Sequence, residues 1–297
     1  DCVNPAGGVI IPKLLSELGC SVMEMGCDVS GIFSHTPEPI PENLSGICSR
    51  VRDENADLGI AVDPDVDRLV LIDEHGEPFG EEYTLASAVK FVLGKESIPN
   101  STSAIPASHS DSQKAGERNS KSLRVVTNLS TTRAIDDICA LHNAEITRTA
   151  VGEIHVAKKM REIGAIVGGE GNGGVILPES HIGRDAPVGI GLTLQHLTDF
   201  GGTLSGLKQT LPQYFITKGK IALGALNPDE VLRRLQAAHG GKGKATTVDG
   251  LKLDFPDSWI HLRKSNTEPI IRIIAEAPQK KRADALVAAF TEEILTT

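Results

Sequence analysis

Short apolar runs alternate along this 297-residue chain with segments of helical apolar spacing, and that rhythm most restricts its fold. Residues 10–18 have helical spacing and stop at Gly19; residues 21–25 follow as a strand candidate. After a Pro-rich loop, residues 42–55 read as a helix with Leu44, Ile47, Cys48 and Val51 on one face. Residues 57–62 and 68–73 are compact apolar runs of strand length. The order helix–strand–helix–strand predicts a parallel α/β layer. A helix over 83–93 opens a second unit, in which strands at 123–127, 144–149 and 165–168 alternate with helices at 132–142, 154–163 and 188–200. Residues 97–122 are Ser-rich and read as a flexible loop. Gly201-Gly202 begins a linker, and a third unit from about Leu211 ends in a helix over 280–295.

With 40% hydrophobic and 23% charged residues the chain is of ordinary globular type and long enough for two or three cores. A net charge of −9 argues against nucleic acid and anionic membranes as partners, yet leaves room for a small anion held by local arginines. Five scattered cysteines without a C-x-x-C pair point to reduced thiols and a cytoplasmic location. No apolar run approaches membrane-spanning length. The chain opens at Asp1-Cys2-Val3-Asn4-Pro5 without an initiator Met, and reads as beginning inside a domain.

Four loops carry chemistry. Asp63-Pro64-Asp65-Val66-Asp67-Arg68 follows a strand candidate. Carboxylates at every second residue of an extended segment would project to one side and suit a hard cation such as Mg2+. A calcium EF-hand fails on Arg68, where its sharp turn wants Gly, and on the strand-like flanks. A dehalogenase-type Asp-x-Asp loop accounts less well for Asp67 and Arg68. Gly168-Gly169-Glu170-Gly171-Asn172-Gly173-Gly174 lets a backbone approach a ligand, with Glu170 and Asn172 suited to adjacent sugar hydroxyls. In His181-Ile182-Gly183-Arg184-Asp185-Ala186, Arg184 and Asp185 either contact ligand or pair with each other. Arg263-Lys264-Ser265-Asn266-Thr267-Glu268-Pro269 sits between two apolar runs and offers a guanidinium, hydroxyls and an amide to a phosphate; Arg272 on the next strand is placed to join them. The turn at 149–153 precedes a helix and reads equally as an anion cradle or an ordinary cap. His35 and His155 have no metal-ligand spacing and read as structural.

These loops, in this order and with Gly31-Ile32-Phe33-Ser34-His35-Thr36-Pro37-Glu38-Pro39 ahead of them, resemble the α-D-phosphohexomutase superfamily: phosphoglucomutase, phosphomannomutase and phosphoglucosamine mutase. The resemblance covers nearly the whole chain. It implies two consecutive α/β/α domains followed by a smaller α+β, TBP-like domain. Residues 1–80 would be the metal-binding domain, 81–205 the sugar-binding domain and 206–297 the phosphate-binding domain. It implies Mg2+ on Asp63, Asp65 and Asp67, with Arg68 in support. Substrate contacts would come from Glu170, Asn172, Arg184, Asp185, Arg263, Ser265, Asn266, Thr267 and Arg272. The implied ligands are hexose phosphates and a hexose bisphosphate. The family's phosphoserine domain, with its Thr-Ala-Ser-His-Asn-Pro motif, and the opening strand of the next domain have no counterpart here. Pro106-Ala107-Ser108-His109-Ser110 echoes that motif at the wrong place in the domain order. The chain would then turn over hexose phosphates only with a phosphoserine from upstream; alone it would be a sugar-phosphate-binding fragment. Asn172 and Gly174 stand where many members have Ser and His, so the hexose stays open.

Overall fold

The computed structural model describes residues 1–96, 122–224, 226–265 and 270–296. The fold is α/β, and the described residues form three sheets along the chain. The first section holds α1 (Gly7–Glu17), α2 (Ser45–Asp53), β1 (Gly59–Val62) and β2 (Leu69–Ile72). β1 and β2 pair antiparallel, Gly59 opposite Ile72 and Val62 opposite Leu69. This corrects the expected parallel layer. Only six residues join the two strands, and a parallel pair needs a crossover of a dozen or more.

Residues 21–24 form no strand, a second correction. A strand needs a neighbour for its backbone groups. Here a groove of about 740 Å³ separates residues 19–25 from β1. Ile11 and Leu15 of α1 and Ile47 and Val51 of α2 are among the residues that line it. The first residues bridge it: Asp1 donates to Ile60 O (2.6 Å) and accepts from Val62 N (3.0 Å), and Cys2 N donates to Met25 O (3.1 Å).

The second section begins with α3 (Glu81–Glu96), buried on nearly every face over residues 82–89. It is the helix on which the sections meet, packing against β2 as well as the elements that follow. Those are β3 (Arg124–Asn128), α4 (Ala134–Leu141), β4 (Glu145–Thr149), α5 (Glu153–Ile163), β5 (Val167–Glu170), β6 (Gly174–Ile176), α6 (Ala186–Phe200) and α7 (Leu204–Gln209). The sheet order is β4-β3-β5-β6, parallel except for β6. β3 and β5 supply Val125 and Val167 to a core shared with Leu69, Leu71, Phe79 and Leu85.

The last section is a five-stranded antiparallel sheet, β7-β11-β10-β9-β8. Its strands are β7 (Phe215–Ala222), β8 (Lys244–Thr246), β9 (Leu251–Asp254), β10 (Trp259–Lys264) and β11 (Ile270–Ala277). One face is covered by α8 (Pro228–His239) and α9 (Lys280–Leu295) over a core of Leu235, Ile260, Ile273 and Phe290. Among the described residues no helix is long and apolar enough to cross a membrane.

Candidate functional site

The aspartates converge, but not by alternation along an extended strand. Residues 64–66 form a turn, and Val66 takes a positive φ of 61°. That turn folds Asp63 back under its own loop. Asp63 Oδ1 accepts from Asp67 N (3.1 Å) and Arg68 N (3.0 Å), and Oδ2 accepts from Arg68 Nε (2.5 Å). Burial alone would raise this carboxyl; the Arg68 N–H, the neighbouring Asp67 and the Arg68 guanidinium outweigh it and hold it below the usual carboxylate range. Asp67 goes the other way. Its burial, with Asp63 alongside, pushes it up to about 6. Asp63, Asp65 and Asp67 each offer an oxygen within 4.8 Å of the others. Asp67 Oδ1 is buried and accepts no hydrogen bond among the described residues. Converging carboxylate oxygens, one without a donor, fit a hard divalent cation such as magnesium.

Glu170, at the end of β5, is 3% exposed. Its Oε1 accepts from Asn128 Nδ2 and Gly152 N, both at 2.8 Å, and its Oε2 from Arg184 Nη1 at 2.8 Å. Asn172 is half-buried and turns its Oδ1 onto Gly174 N (3.2 Å). The turn at 149–153 is therefore no free anion cradle: Gly152 N is taken by Glu170, and Val151 N by Asp249 Oδ2 (2.9 Å).

Arg184 joins the first two loops. Its second terminal nitrogen donates to Asp67 Oδ2, and its Nε lies 3.7 Å from Glu153. Burial works against the charge, but Asp67, Glu170 and Glu153 outweigh it and raise the guanidinium's pKa. The side chain lies across bare backbone at Gly174, where a Cβ would come within 2.2 Å of Arg184 Cδ. Asp185 neither pairs with Arg184 nor turns to the carboxylates: it caps α6, accepting from Val188 N at 2.9 Å. Backbone bonds hold the three loops together, Ala186 N to Val66 O (3.1 Å) and Leu69 N to Gly173 O (3.0 Å).

On the C-terminal sheet, Arg263 pairs with Asp249 at 2.8 Å. Register sets Arg263 directly opposite Arg272, and Arg272 opposite Lys220 of β7. Opposed residues share a face, so three cations cross the sheet in a row, a repulsive arrangement that an anion relieves. Lys220 carries no sequence signal; only the β7–β11 register finds it. Ser265 N donates to Ile270 O at 3.0 Å. Asn266, Thr267 and the 106–110 motif lie outside the described residues. His35, read as structural, holds Asp1 Oδ2 through Nε2 at 2.7 Å.

Family models of phosphoglucomutase/phosphomannomutase match in chain order: domain II over residues 1–76, domain III over 99–215 and the C-terminal domain over 221–293. A probable phosphoglucosamine mutase of Methanopyrus kandleri is 33% identical over 98% of this chain and 60% of its own length. A phosphoglucomutase/phosphomannomutase of Thermococcus kodakarensis is 34% identical over 95% of this chain and 57% of its own length. Among solved structures, a family protein from Burkholderia thailandensis superposes with a TM-score of 0.79 at 24% identity, over 99% of this chain and 59% of that one. N-acetylphosphoglucosamine mutase of Aspergillus fumigatus, solved with GlcNAc-6P and magnesium, gives 0.63 at 16% identity, over 98% and 64%. The chain thus spans about three-fifths of its curated relatives' length, and it belongs to the phosphoglucomutase/phosphomannomutase family, the α-D-phosphohexomutases.

Proposed function

We propose that this protein is a phosphohexomutase, interconverting hexose 1-phosphate and hexose 6-phosphate through a phosphoserine and a hexose bisphosphate. Because the chain spans only part of its relatives' length, turnover is proposed for the whole protein. The observation that carries the reading is the single guanidinium of Arg184, which ties the aspartate loop to the Glu170 loop. An ion site and a hydroxyl-binding carboxylate thereby lie side by side, as transfer of a phosphoryl group between sugar oxygens requires.

Asp63, Asp65 and Asp67 would hold magnesium, which when bound supplies a hard positive centre that spreads the charge of a phosphoryl group. Arg68, anchored on Asp63, keeps that carboxylate ionised and oriented. Glu170 is fixed by three donors and orients sugar hydroxyls with Asn172 beside it. Arg263 and Arg272, joined by Lys220, hold the phosphate that does not react. The boundaries near residues 80 and 205 and a cytoplasmic location belong to the same proposal. The five cysteines are all free, as a reducing compartment would keep them.

The relatives named phosphoglucosamine mutases make glucosamine 6-phosphate the first ligand to try. Calorimetry in magnesium should show binding that Arg263→Ala and Glu170→Gln each weaken by at least about tenfold, the scale of one charge-assisted hydrogen bond. Unchanged affinity in both variants sinks the reading. Binding without turnover by the whole protein would instead favour a sugar-phosphate-binding protein that performs no transfer.

A further inference from the structure

Five carboxylates, those of Asp63, Asp65, Asp67, Glu153 and Glu170, face two guanidinium groups across the three joined loops. Arg68 hydrogen-bonds Asp63 from within the same loop and lies farther off, at 3.6 Å, from Asp67 and, at 4.0 Å, from Glu38. Arg184 is divided among Asp67, Glu170 and Glu153. Its backbone is fixed, since Arg184 N donates to Glu153 Oε1 (2.7 Å) and Asp185 N to Val175 O (3.0 Å). Its side chain is less fully held. Among the described residues Nε is buried without a hydrogen bond, a spare donor on a cation already shared three ways.

We propose that Arg184 is the resident counter-cation of the aspartate site, so that a divalent ion and an anionic ligand are taken up together. This inference rests on the ion-site reading above. While the guanidinium sits on Asp67, its charge opposes a second cation at the same carboxylates. A hexose phosphate whose dianion sits on Arg263 and Arg272 brings its hydroxyl oxygens to the Glu170 side. It competes for the guanidinium and draws it off Asp67, and the aspartates then accept the ion more readily. Linkage makes the effect mutual: the ion strengthens ligand binding by the same factor. Arg184 acts through Asp67 and Glu170, and is a positioning residue rather than a catalytic one.

The test uses Mn2+ as the probe, followed by its spin-resonance signal, with and without glucosamine 6-phosphate. In the wild type the ligand should tighten Mn2+ binding. Arg184→Gln should bind Mn2+ at least about tenfold more tightly than wild type without ligand, and the further gain on adding ligand should shrink. Arg184→Lys keeps the charge but not the two-pronged grip; its Mn2+ affinity without ligand should stay near wild type. Arg184→Met, neutral and of similar length, repeats the first comparison if the Gln variant fails to fold by circular dichroism. If the wild type takes up no Mn2+, the ion-site reading falls before any substitution. If the wild type binds Mn2+ and the neutral variants bind it no more tightly, only the counter-cation falls.

Discussion

His261 shows how one residue ties stability to pH. It is 1% exposed on β10, with Nε2 against Asp249 O (2.6 Å) and Nδ1 against Ser130 Oγ (2.8 Å). A carbonyl only accepts, so Nε2 carries the proton, and the neutral Nδ1 accepts from Ser130. Burial, reinforced by repulsion from Lys252 and Arg263, lowers its pKa to about 4. The folded state therefore resists a proton that the unfolded chain takes up near 6.5. The contribution is complete above that pH and fades as pH falls toward 4, on the order of 3 kcal/mol in all. Urea unfolding between pH 7.5 and 4.5 should show this slope, and His261→Gln should flatten it. Asp63 gives a second prediction. Asp63→Ala strands the Asp67 and Arg68 N–H groups and the Arg68 guanidinium, and should cost about 2 kcal/mol in metal-free unfolding. Asp63→Asn, which keeps one acceptor oxygen, should cost less.

Among the elements, α6 gives the carboxylate of Asp185 a structural place. Asp185 was as good a ligand contact as Arg184 from sequence, since both stand in one polar loop. The geometry gives it the Ncap position, with its oxygen on Val188 N. Asp185→Ala should lower stability by about 1 kcal/mol, and Asp185→Asn by much less. Neither should move hexose-phosphate affinity beyond twofold by calorimetry; a tenfold loss in the Asn variant would make Asp185 a ligand contact after all. Most helices of the first two sections were legible because each buries one face with a 3.6-residue period, as α2 does with Ile47, Cys48 and Val51. α7 escaped, its six residues being too few for a period to show. Residues 21–25 have strand composition yet form no strand, for a different reason. Composition reports the capacity to pair, whereas a ladder requires a partner at the right distance.

For the whole molecule, the four loops were legible because their residue types are chemically unusual for turns. How they meet was not. Arg184 reaches Asp67 across 117 positions, and Lys220 enters the cationic row only through the β7–β11 register. Lys220→Glu should weaken hexose-phosphate binding several-fold and reduce its salt sensitivity, because the row acts as a summed field. Equal salt dependence in wild type and variant would remove Lys220 from the phosphate wall.

The groove beside β1 has a colloidal consequence. Among the described residues β1 pairs with β2 alone, and Asp1 covers only part of its other edge. Such an edge, backed by apolar walls from α1 and α2, is a template for any passing extended segment. This 297-residue chain, concentrated on its own, should show light scattering that rises with time and concentration. Leu58→Lys, which sets a charge at the groove's lining, should slow that rise while leaving the aspartate loop and its partners in place.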